Sequence, residues 1–146
     1  MVVINGSYQN ANAIKDYLVN QATQGKLYLA VGTGLDSWDD SLPAANTSTT
    51  RLANEAARSS IKASDIVLID SEKSTPDDDV IGTAGSSNVI RILGNIVCPL
   101  KPLREYGLFV DASDTLNSGL LYSYDVHSKI VLGQLHLYMK YIYLNF

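Results

Sequence analysis

Apolar residues recur at helical spacing in only one long stretch of this chain. In "NANAIKDYLVNQATQ", residues 10 to 24, Ala11, Ile14, Leu18 and Ala22 form one stripe, with Val19 at its edge. Steps of three and four predict an amphipathic helix, with Asn10 as its cap and Gly25 as its stop. Beyond it the apolar runs are shorter and are cut by turn residues. "KLYLAVGTG" reads as a strand entering a glycine turn, and "LDSWDDSLPAANTSTT" as a polar loop carrying Trp38. "RLANEAARSS" is expected to hold one or two helical turns and to lead into a strand in "IKASDIVLID". Residues 71 to 88 read as a hairpin tip or mobile loop, and "VIRILGNIV" as the returning strand. "LREYGLFV", "LLYSYDV" and "LHLYMKYIYLNF" supply three more strands. The expected fold is mainly β (α+β): a single domain over residues 1–146, with antiparallel, β-sandwich-like sheet packing and one N-terminal helix.

The last strand has no polar face. Alternation puts Leu135, Leu137, Met139, Tyr141 and Tyr143 on one side, and His136, Tyr138, Lys140, Ile142, Leu144 and Phe146 on the other. A strand with one wet face should alternate with polar residues. Two readings stay open: a central strand buried on both sides, or a strand with part of one face against a neighbouring subunit.

Composition narrows the function classes. The 146 residues suffice for one well-cored domain. Eleven basic against fifteen acidic residues, net charge −4 with no basic run, argue against binding nucleic acid through its phosphates. A single cysteine, Cys98, permits neither an intrachain disulfide nor a multi-cysteine zinc site. The N-terminus has no basic segment followed by a long apolar core, and no apolar run approaches a membrane span. The expectation is a soluble protein made in a cytosol, with no membrane and no nucleic-acid partner.

Catalytic equipment is sparse. His127 is expected to follow a strand and His136 to lie in one, and neither has a metal-binding spacing. "AVGTGLDSWDD" lacks the lysine and serine of a phosphate loop. Asp36, Asp39 and Asp40, and separately Asp77, Asp78 and Asp79, lack the alternating spacing of a calcium loop and read as solvated acidic loops. No serine sits in a G-x-S-x-G elbow. The chain therefore reads as a non-enzyme with no catalytic, cofactor or metal-binding residues. An enzyme would need a pocket joining His127 or His136 to a carboxylate. A carbohydrate-binding module is the competing class, with Trp38 and the nine tyrosines as stacking platforms.

The polar residues that stand out are charges in or beside strands: Glu55 and Arg58 in "NEAARSS", close to or inside the start of a strand, and Arg104 and Glu105 in "LREYGLF". Adjacent strand residues face opposite ways, so Arg104 and Glu105 need separate partners. Two readings stay open: both pairs at strand ends with their heads in water, or cross-strand pairing of Arg58 with Glu105 and of Arg104 with Glu55 or, failing that, with a carboxylate from another subunit.

Three segments carry a family resemblance. They are A-x-G-x-G (Ala30, Gly32, Gly34), T-x-L-x-x-E-x-x-R (Thr50, Leu52, Glu55, Arg58) and R-E-x-G-L-F (Arg104, Glu105, Gly107, Leu108, Phe109). In this order, within residues 27 to 143, the chain resembles the N-terminal attachment domain of tailed-phage tail-collar fibre proteins. In that family the domain joins a fibre to the tail or baseplate, and a shaft and receptor-binding tip follow. These 146 residues contain neither shaft nor tip, so attachment is the expected role. The resemblance implies a structural component of a tailed bacteriophage particle: a tail or baseplate fibre adaptor or short fibre-like protein, alternatively a neck or collar fibre component. It would be assembled in the host cytoplasm, with other tail or baseplate proteins and further copies of itself as partners. Trp38, Tyr138, Tyr141, Tyr143 and Phe146 are the candidate subunit interface.

Overall fold

The computed structural model describes residues 8–44, 46–70, 72–75, 78–83, 87–97, 100–131 and 137–146. Cys98, His136, Leu135 and Asp77, all weighed in the sequence, lie outside the described residues. Helix α1 spans Tyr8–Thr23 and buries the stripe that its spacing predicts. Ala11 and Leu18 are fully buried, with Ile14, Val19 and Ala22 packed beside them. Its end is a Schellman turn. Gly25 takes a φ of +70°, its N–H donates to Ala22, and the Lys26 N–H reaches back to Gln21. The helix is already under way at Asn10, so the expected cap is a helical residue instead. Periodicity locates a helix better than it locates the helix ends.

Among the described residues seven strands follow: β1 Tyr28–Gly32, β2 Glu55–Ser60, β3 Ile66–Ile69, β4 Val89–Val97, β5 Leu103–Val110, β6 Leu120–Ile130 and β7 Leu137–Asn145. They form two antiparallel sheets, ordered β2-β1-β5-β6 and β3-β4-β7. Between them lies the main core. Leu29, Leu108 and Val110 come from the first sheet, and Ile66, Leu68, Ile90, Ile92, Ile142 and Leu144 from the second. The mainly β, sandwich-like expectation with one early helix holds. Among the described residues, no helix is long and apolar enough to cross a membrane.

Three local expectations change. Glu55–Ser60 is a strand, not helical turns, because pairing with β1 along its length outweighs the helix preference of alanine, glutamate and arginine. His127 lies inside β6, which runs on to Ile130. β7 is not central: among the described residues it pairs with β4 alone, at the edge of its sheet. Its even-numbered residues turn inward, with Ile142 and Leu144 buried. Met139 and Tyr141 point outward, 57% and 46% exposed.

Candidate functional site

The three segments that carry the resemblance meet on the first sheet, where β1 lies between β2 and β5. Ala30 pairs with Arg58 on one side and Gly107 on the other, and Gly32 with Glu55 and Glu105. Between Val31 and Gly32 the β1–β2 register shifts, leaving Ala56 as an extra residue on β2. That bulge reverses the strand's alternation. Glu55 and Arg58, three apart and expected on opposite faces, arrive on the same one.

They pair with each other there. Arg58 Nε donates to Glu55 Oε2 at 2.7 Å and Nη2 to Oε1 at 2.8 Å, a two-pronged contact between side chains 1% and 0% exposed. The guanidinium lies 4.7 Å from the Phe109 ring centroid, and Leu52, Ala30 and Phe109 form the apolar cluster beneath. Its remaining nitrogen, Nη1, donates to the carbonyls of Ser113 and Ser118 and to the Ser118 hydroxyl. The Asn117 N–H donates to Glu55 Oε1 at 3.2 Å. This pair thus pins the β5–β6 connection, in which Asn117 holds a φ of +65°. The expected Arg58–Glu105 and Arg104–Glu55 pairs are not formed.

Glu105, 1% exposed, is instead bound by backbone. Its Oε2 accepts the N–H groups of Gly34 and Asn54 at 3.0 and 2.8 Å, and its Oε1 accepts that of Ala53 at 2.8 Å. One carboxylate therefore ties the end of β1 to the lead-in of β2 with charge-assisted bonds. Gly32 makes the space for it. A Cβ at position 32 would collide with the Glu105 carboxylate and the Asn54 carbonyl.

Arg104, 4% exposed, turns to the loop after β1. Its Nη1 donates to the Thr33 carbonyl at 2.7 Å, while Nε and Nη2 fork onto Asp39 at 2.8 and 2.9 Å. Asp36 lies 3.3 Å away with its side chain in solvent. Asp39 belongs to a 3-10 turn, Asp36–Asp39, reached through Gly34 at a φ of +59°. The hydrogen bond from Arg104 holds the Asp39 carboxyl below its ordinary range and raises the arginine further. Asp39 is thus not merely a solvated loop acid.

As chemistry, these four charges are committed inward. Arg104, Glu105, Glu55 and Arg58 each hold main chain as well as, or instead of, an opposite charge. The arrangement fixes three distant segments and two loops against one another. Charge in or beside a strand flagged the four residues. Asp39 reads from sequence as a solvated loop acid, and Ser113 and Ser118 carry no signal at all, because loop residues do not reveal which strand they will meet.

The aromatic candidates divide. Tyr138 and Phe146 are half-buried, packed on the inner side against the core. Tyr141 faces out with Arg91 stacked 5.1 Å from its centroid, and the Tyr143 hydroxyl donates to Asp79 at 2.6 Å. That bond, with burial, pushes the Tyr143 hydroxyl above its ordinary pKa. Trp38 rests against Gly34, where a side chain at 34 would clash with its ring. His127 stacks on Tyr106, centroids 6.0 Å apart.

Neither a scan against protein-family models nor a comparison with curated proteins finds a match for this chain.

Proposed function

We propose that this protein is a structural component of a tailed-phage particle, acting as a tail or baseplate fibre adaptor. The observation that carries the reading is the convergence of the three resembling segments. Separated by up to about seventy residues, they share one junction in which several of their distinctive residues contact or make room for one another: Gly32 for Glu105, Ala30 and Leu52 for Phe109, Glu55 for Arg58.

Two further features favour assembly over catalysis. The conspicuous charges serve internal ties, so the junction is a frame and not a reaction centre. The outward face of β7 also offers Met139 and Tyr141, with Val97 of β4 59% exposed, as an apolar strip that a neighbouring tail protein or a second copy would cover.

Density-gradient purification of particles from a lysate in which the gene is expressed tests this reading. Mass spectrometry should find the chain in the particle band at a fixed ratio to the tail proteins. Recovery only in the soluble fraction would overturn it.

A further inference from the structure

Beside the Arg104 fork lies an open hollow of about 330 Å³, bordered by Trp38, Asp39, Asp40 and Ser41 from the loop after β1 and by Ser128 and Lys129 of β6. We infer that it is a subsite for one neutral, polyhydroxylated sugar ring, a role separate from attachment.

Size and wall chemistry come first. The volume sits at the small end of the roughly 300–1,000 Å³ typical of small-ligand sites. Trp38 forms one wall: its ring rests on Gly34, and its backbone N–H closes the 3-10 turn onto the Leu35 carbonyl at 3.0 Å. Asp39 is fixed, held by both prongs of Arg104 with Lys129 Nζ 3.6 Å from its Oδ2. Around them stand Asp40 and the hydroxyls of Ser41 and Ser128, at exposed positions. An apolar ring face, carboxylate acceptors, an ammonium donor and hydroxyls of both capacities are what the carbon face and hydroxyl edge of a sugar require.

Charge at the rim disfavours a ligand carrying a single net charge. An anion would meet the carboxylates of Asp39 and Asp40. A cation would meet the Lys129 ammonium, and Asp39 is already held by Arg104 and Lys129. With both signs interleaved, a neutral ligand rich in hydroxyls gains hydrogen bonds from each and is repelled by neither.

Trp38 is the only tryptophan, so its emission reports on this hollow alone. The full chain is titrated with galactose, glucose, N-acetylglucosamine and N-acetylgalactosamine, following tryptophan fluorescence and saturation-transfer NMR. At least one sugar should give a saturable change in both. Asp40→Ala, which leaves the Arg104 fork intact, should weaken that sugar roughly tenfold or more through lost charge-assisted hydrogen bonds, without moving the unfolding midpoint. The inference is overturned if no sugar gives saturable binding, or if Asp40→Ala and Lys129→Met both bind as the parent does. Either failure leaves the particle reading untouched, because that rests on the junction and on the β7 face.

Discussion

Glu55 and Arg58 pair within a single strand, three residues apart, because Ala56 bulges out between Glu55 and Ala57. Regular alternation would have sent the two side chains to opposite faces. The bulge makes the sheet's most enclosed ion pair a local contact, which then reaches outward to hold the distant β5–β6 turn.

Breaking that pair from one side should be costly. Arg58→Met leaves the Glu55 carboxylate buried with only the Asn117 N–H for company, and such a loss costs about 3–5 kcal/mol. Adding Glu55→Gln should recover part of it, since the stranded charge is then gone. Urea unfolding of the two single variants and the double variant measures the coupling, and strictly additive losses would mean that the pair is solvated.

Position 32 and Glu105 should fail together. Gly32→Ala places a methyl where the Glu105 carboxylate and Asn54 carbonyl already lie, an overpacking expected to cost about 1–3 kcal/mol. Glu105→Gln keeps the size but offers one acceptor oxygen and turns an N–H group toward backbone donors. Its expected loss is also about 1–3 kcal/mol. Thermal unfolding of each checks this, and a Gly32→Ala protein as stable as the parent would contradict the close approach.

Stability should fall off at both ends of the pH scale for identifiable reasons. The Asp39 carboxyl titrates below the ordinary 3.8 because Arg104 bonds to its charged form. Its support for the loop is therefore present above that pH and is lost as the pH falls through the lower folded value. Trp38 emission should report this acid transition, and Asp39→Asn should abolish it. In base, burial first, then the charge of Asp125 and the neighbouring Tyr138, push the Tyr106 hydroxyl up to about 12 from 10.0. The neutral phenol supports the fold fully below pH 10.0, and that support is lost as pH rises to about 12. Alkaline unfolding followed by phenolate absorbance should shift upward in Tyr106→Phe.

The two faces of β7 should separate folding from assembly. Ile142→Ala empties a core position and should cost about 2–5 kcal/mol. Tyr141→Ser on the outer face should cost only about 1 kcal/mol, through the lost Arg91 stacking, yet reduce incorporation into particles. Equal incorporation of the Tyr141→Ser protein would remove the outer face from the attachment surface.

What could be read from the sequence was whatever depends on local pattern. α1 announced itself by its spacing, and "VIRILGNIV" matches β4, Val89–Val97, from end to end. β2 was only half legible, since the charges of "NEAARSS" suggest a strand start while "EAAR" favours a helix, and only β1, more than twenty residues away, decides for the strand. The buried charges were legible as charges needing partners; the partners were not. A bulge at Ala56 leaves no mark in composition, and Asp39 meets Arg104 only because Gly34 turns the chain back. The terminal strand's two apolar faces were plain, but which one meets the core depends on its register with β4.

The central claim, attachment within a tailed particle, is tested most directly by electron microscopy of intact particles labelled with a gold-conjugated antibody against this chain. Label confined to the tail or baseplate, where fibres join, is the predicted result. Label on the head shell, or unlabelled particles from a lysate that contains the soluble protein, would contradict it.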